Sequence, residues 1–131
     1  MPGAGIAKPD RIRSRVEYSK IQKQGKRFRA GNFLVNYLKR EDGRMRFGVV
    51  VSGRMARAVD RNRAKRLLRE FFRLNREQIR QVFVNILDPG NPGIDMVFVA
   101  YPGAEQMKYG EVREQLLLGF EKEIKRTAGN R

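Results

Sequence analysis

The segment DRNRAKRLLREFFR, Asp60 to Arg73, packs six Lys or Arg, two acids and four large apolar side chains into fourteen residues. Charge and apolar bulk at that density can share one element only if they lie on different sides of it, and a helical repeat achieves this. With Val59 as origin and about 100° per residue, Ala64, Leu67, Leu68, Phe71, Phe72 and Leu74 fall between roughly 60° and 220°. Asn62, Lys65, Arg66, Arg69 and Arg73 fall between roughly 240° and 340°. Arg61, at about 200°, and Arg63, at about 40°, lie on the two borders, where long stems cover apolar neighbours and the guanidinium heads reach outward. A charged face is often merely solvated. Here the basic arc has only Val59 and Glu70 at its edge, and like charges one turn apart repel by roughly a few tenths of a kcal/mol per pair. That arrangement points to an anionic partner, and the five Arg to one Lys suit bidentate phosphate and base-edge recognition.

The rest of the chain agrees. Lys and Arg number 29 against 14 acids, a formal charge of +15, while 40% of the 131 residues are hydrophobic. This is the balance of one folded basic domain, with nucleic acid the leading partner and an anionic membrane surface trailing. Cys and His are absent. Disulfides, zinc fingers, imidazole general bases and Ser–His or Cys–His nucleophiles are therefore excluded, and a reducing, cytoplasmic location is compatible. The start, MPGAGIAKPDRIRSR, is basic with no apolar run behind it, and no later segment approaches the roughly 20 apolar residues of a membrane span. The expectation is a soluble protein with no membrane partner.

Residues 1–13 read as a flexible basic arm. Ser14 caps a short helix that Gly25 stops. After the loop KRFRAGN, with room for a short strand at Arg27–Ala30, NFLVNYLKR and RMRFGVVVS read as two antiparallel strands joined by a hairpin at Glu41-Asp42-Gly43. A helix runs from about Ala58 into the low eighties, the breaker DPGNPG follows, and IDMVFVA, residues 94–100, is apolar on both faces, as an interior strand would be. Val112, Leu116, Leu117, Phe120 and Ile124 mark an amphipathic last helix, with residues 128–131 as a tail. The predicted fold class is α+β, a two-layer α/β sandwich in the order α-β-β-(β)-α-β-α, with a single domain over residues 14–127.

The stretch VVVSGRMARAVDRNRAKRLLRE, Val49 to Glu70, resembles the signature of the protein subunit of bacterial ribonuclease P: a strand ending in Val-Ser, a loop, Ala-Val, then Arg-Asn-Arg-x-Lys-Arg-x-x-Arg. RSRVEYSKIQKQGKRFRAGNFLV is similar to the family's start, and IDMVFVA with the last helix to its close, so the resemblance covers about residues 11–126. It implies a ribosomal-protein-like domain whose central helix is entered through a left-handed βαβ crossover. It also implies that Arg61, Asn62, Arg63, Lys65, Arg66 and Arg69, with Arg73 on the same arc, contact the catalytic RNA and help hold Mg²⁺ near the scissile phosphate. A cleft between the first helix and the sheet would take the single-stranded 5′ leader of precursor tRNA. Its candidate residues are Tyr18, Phe33 and Tyr37, with Arg11, Arg13, Arg15, Ser52 and Arg54. Aromatic faces stack on unpaired bases of any identity, and ordinary core packing is the alternative for Phe33 and Tyr37. The sequence departs from the family at Gly53 and Ala56 in the loop, at Gln22 in place of a second aromatic, and at Tyr101 in place of an Arg.

Few groups could perform chemistry. The acids are scattered, and Pro9-Asp10 with Glu123-x-Lys125 only formally matches a nuclease pattern. No catalytic or metal-ligating protein residue is expected. The resemblance implies that the RNA subunit cleaves with Mg²⁺ held mainly by RNA and substrate phosphate, the protein joining it as a monomer in a 1:1 complex. A ribosomal or other structural RNA-binding protein, and a metal-dependent nuclease acting alone, are the competing readings.

Overall fold

The computed structural model describes residues 10–12, 14–86 and 93–129. Its elements are α1 (Arg15–Gln24), β1 (Lys26–Ala30), β2 (Phe33–Lys39), β3 (Met45–Val51), α2 (Ala58–Leu74), α3 (Arg76–Ile86), β4 (Ile94–Ala100), a 3₁₀ turn (Ala104–Gln106) and α4 (Tyr109–Gly129). The four strands form one sheet in the order β1-β2-β4-β3. β4 runs antiparallel to β2 and parallel to β3. NFLVNYLKR and RMRFGVVVS, expected as a hairpin, therefore do not pair with each other. IDMVFVA is apolar on both faces and takes the interior position between them. The actual hairpin is β1–β2, closed at Gly31-Asn32, where Gly31 has a φ of 59° that a side chain would oppose.

Alternation along the strands gives the sheet two unlike faces. Phe33, Val35, Tyr37, Phe47, Met96 and Phe98 join Leu68, Phe71 and Phe72 of α2, Ile79 and Phe83 of α3, and Leu116 and Phe120 of α4 in one buried core. Phe47 stacks on Phe72 at 4.5 Å between centroids, within the range such pairs prefer. Among the described residues the other face carries α1 and the Asp10–Ile12 segment; Ile21 of α1 packs with Ile12 and Val97 and against Tyr18, Leu38, Val50 and Val99. Ser14 caps α1 by accepting from the Val16 and Glu17 amides at 3.1 and 3.4 Å.

The long helix is broken. Asn75 donates from Nδ2 to the Phe71 carbonyl at 2.9 Å and to the Tyr109 hydroxyl at 2.7 Å, while its Oδ1 accepts from Arg113 at 3.0 Å. A short amide competing for helix carbonyls is a known terminator, and α3 starts at the next residue. Leu74, assigned to the apolar stripe, is consequently 53% exposed at the end of α2. Of the expected basic arm, Asp10–Ile12 is tied down. Arg11 bridges to Phe47, the Ile12 amide donates to the Phe47 carbonyl at 2.9 Å, and Asp10 pairs with Arg76 at 2.7 Å. The rest of the arm, the breaker residues 88–92 and the end of the tail lie outside the described residues. α4 continues to Gly129.

Candidate nucleic-acid interface

Helix α2 presents its motif in two distinct ways. Arg61 and Arg63, the border arginines, turn back onto the protein. Arg61 Nη1 donates to the Met55 and Ala56 carbonyls at 3.1 and 2.6 Å, holding the loop that leads into the helix. Arg63 donates from Nε to the Glu105 carbonyl at 2.6 Å and from Nη2 to that of Met107 at 3.0 Å, anchoring the 3₁₀ turn. Arg73 pairs with Glu70 three residues earlier, so the acid at the edge of the arc neutralises one of its cations. Asn62, Lys65, Arg66 and Arg69 differ: their side chains make no hydrogen bond or ion pair among the described residues. Directly behind them Ala64, Leu68, Phe71 and Phe72 are fully buried, which fixes the helix from which they project.

On the α1 side of the sheet, an open groove of about 220 Å³ is lined by Tyr18, Gln22, Leu34, Asn36, Val50, Val97, Val99 and Tyr101. Tyr18 lies flat on β3 because residue 48 is glycine. A Cβ there would come within 2.6 Å of its ring. The Tyr18 hydroxyl donates to the Ile12 carbonyl at 2.7 Å. Burial raises its pKa above the ordinary tyrosine value, opposed by a Val49 backbone hydrogen bond and the Arg69 charge. A second recess, about 360 Å³, is lined by Arg11, Ile12, Tyr18, Phe47, Gly48, Val49 and Arg69. Tyr18 thus borders both hollows, and Arg69 belongs both to the basic face and to the recess beside the groove.

Phe33 and Tyr37 are not in the groove. They are 0% and 1% exposed on the helix-covered face, and their alternates on β2, Leu34 and Asn36, line the groove instead. Core packing decides their place, since the larger apolar set of an alternating strand faces the larger core. Tyr37 also donates to Glu123 Oε2 at 2.5 Å, and Arg126 grips the same carboxylate at 2.8 and 2.6 Å. Glu123 is therefore buried, not on a solvated surface, and shares no site with Asp10, which Arg76 holds. Arg11, Arg15 and Arg54 are exposed. Ser52 accepts from the Arg54 amide at 3.2 Å and donates its own amide to Ala100 at 2.8 Å, fixing the loop at the end of β3. Arg13 lies outside the described residues.

Sequence reasoning missed Asn36, Val97 and Val99, although the single Asn in the alternation of β2 marks the open face. It also missed the clamp that seats α1. Arg46 reaches Glu17 on α1 at 2.5 Å and Asp95 on β4 at 2.8 Å, and Arg40 reaches Asp95 at 3.1 Å. Two arginines on a carboxylate only 6% exposed satisfy the rule that buried charges are paired.

A family model described as Ribonuclease P matches residues 6–123, which includes α2, the groove and most of α4. The chain belongs to the ribonuclease P protein family. It is 36% identical over 121 residues to the ribonuclease P protein component of Syntrophobacter fumaroxidans, covering 92% of this chain and 93% of that one. The corresponding protein of Desulfovibrio desulfuricans is 38% identical over 109 residues, covering 82% and 77%. The ribonuclease P protein of Thermotoga maritima shares the fold at a TM-score of 0.66 with 29% identity, over 85% of this chain and 96% of that one. Within the family's loop, Gly53 has open space around it and Ala56 lends its carbonyl to Arg61.

Proposed function

We propose that this chain, as the protein subunit of ribonuclease P in tRNA processing, engages two RNAs at once. The catalytic RNA lies along Asn62, Lys65, Arg66 and Arg69, and the single-stranded 5′ leader of precursor tRNA enters the groove between α1 and the sheet. The observation that carries this reading is the unpartnered set on α2. Three cations and an amide, unengaged among the described residues, stand on a helix whose opposite side is anchored by the buried Ala64, Leu68, Phe71 and Phe72, so phosphates meet them with little ordering cost. Arg69 and Tyr18 join that face to the groove, and the groove floor of Leu34, Val97 and Val99 suits bases without selecting among them.

Phosphodiester hydrolysis belongs to the RNA subunit in this reading. Among the described residues the buried carboxylates, Asp95 and Glu123, are each taken up by arginines, which leaves them unsuited to ligating a divalent cation. Mg²⁺ held by RNA and substrate phosphate would supply the activated water and charge neutralisation. The protein contributes cations that draw the two RNAs together, one copy per catalytic RNA, in the cytoplasm. Arg61 and Arg63 act through the loop and turn they fix, and Arg73 contributes weakly. Adding the protein to its cognate RNA and precursor tRNA at low Mg²⁺ tests this: accelerated release of the 5′ leader is expected. Absence of acceleration, acceleration independent of a leader, or cleavage by protein alone would each overturn it.

A further inference from the structure

The groove has a structured exit at the end away from the Arg46 clamp. Arg29 of β1 lies with its guanidinium carbon 4.3 Å from the ring centroid of Tyr101, the residue that closes the groove after β4. Its Nε donates to the Gly31 carbonyl at 2.8 Å. Two contacts thus hold a long, solvent-exposed side chain in one pose, and its terminal nitrogens have no acceptor among the described residues. The supports are themselves bolted together. The Tyr101 amide donates to the Asn32 carbonyl at 3.0 Å, Gln115 accepts from the Asn32 amide at 3.0 Å, and Gly31 leaves room for the Gln115 side chain, which a Cβ would meet at 2.3 Å. The β1–β2 turn, the residue after β4 and helix α4 therefore form one rigid mount under this cation. No acid among the described residues pairs with it, which leaves its charge for a ligand, and a cation stacked on an aromatic ring presents a planar fork suited to a phosphodiester.

We propose that Arg29, seated on Tyr101, takes a backbone phosphate of single-stranded RNA leaving the groove, which makes it a specificity-determining residue for leader length. The inference rests on the leader-groove reading. Arg29 is the cation mounted on Tyr101 at that end of the groove, so affinity should rise with leader length up to the nucleotide whose phosphate reaches Arg29.

The test measures affinity of the protein–RNA holoenzyme for precursor tRNAs whose leaders lengthen one nucleotide at a time. Arg29→Ala is expected to remove the last increment of affinity, roughly threefold, and to make the salt dependence for the long-leader substrate shallower by about 0.7, leaving short-leader affinity unchanged. Arg29→Lys should restore the salt slope in part without the full increment. A thermal melt of each variant verifies that the fold is intact. Leader-dependent affinity with an unchanged last increment in Arg29→Ala overturns the proposal and spares the groove. No leader dependence in the wild type overturns the groove reading, and this inference with it.

Discussion

If the basic face of α2 meets phosphate, its salt dependence is distributed unevenly along the helix. Among the described residues the side chains of Lys65, Arg66 and Arg69 have no hydrogen-bond or ion-pair partner, whereas Arg73 is held by Glu70. Each released phosphate contact contributes roughly 0.7–0.9 to the slope of log affinity against log salt. Over a fourfold salt range, such as about 50 to 200 mM, that is roughly 2.6- to 3.5-fold per contact. Replacing Lys65, Arg66 and Arg69 together by Ala should therefore flatten the slope by roughly 2.1–2.7 and reduce the salt-induced loss of affinity by roughly 20- to 40-fold over that range. Arg73→Ala alone should change the slope by less than half a single contact's share. Stability should hold in every variant, because Ala is the best helix former and these heads lie outside the core. The assay is equilibrium binding of the protein to the catalytic RNA without substrate, across a salt series. Equal slope changes for Arg66→Ala and Arg73→Ala, or no change in the triple variant, would refute the assignment of charge to this face.

Three further outcomes follow from the packing. Arg63→Ala should cost about 1–2 kcal/mol in a thermal or denaturant melt, since two backbone carbonyls of the 3₁₀ turn lose a charged donor, with little effect on salt slope. An unchanged melt would show the turn stands without it. Leu68→Ala should cost about 2–5 kcal/mol, as expected for a fully buried leucine beneath the basic face. For Glu123, burial alone would raise the pKa, but hydrogen bonds from Arg126 and Tyr37 outweigh it and hold the carboxyl below its ordinary value. Its folded pKa lies beneath the unfolded one, so its contribution is present above about pH 4.3 and fades as pH falls through the folded pKa. The stability gap between wild type and Glu123→Gln should therefore narrow on acidification in that window, and a gap constant with pH would contradict the network.

The order of elements and the orientation of α2 were legible because they depend on periodicity, and periodicity is a local property. What escaped the sequence depends on partners distant in the chain. The pairing of β2 was misjudged because proximity favoured β3, while the claim of β4 on the interior position rests on both its faces being apolar. Phe33 and Tyr37 read as groove aromatics because alternation gives two faces without saying which is covered; the answer lies in three helices that follow later. Asn75 breaks the helix through Tyr109 and Arg113, more than 30 residues onward, as the hydrogen bonds at sequence separations of 34 and 38 record. A wheel sets Arg61 and Arg63 on the borders of the basic arc without saying what they reach; the carbonyls of the neighbouring loop and turn draw them inward.

The two-face arrangement can be read out directly because the chain has no cysteine, so a single introduced thiol carries a cleaving probe without background. Gln22→Cys places a tethered iron chelate at the exposed wall of the groove, and Val59→Cys, 58% exposed, places it beside the basic face of α2. In the complex with catalytic RNA and precursor tRNA, hydroxyl radicals from residue 22 should cut the 5′ leader and those from residue 59 the catalytic RNA. Cleavage of the leader from residue 59, with none from residue 22, would contradict the account.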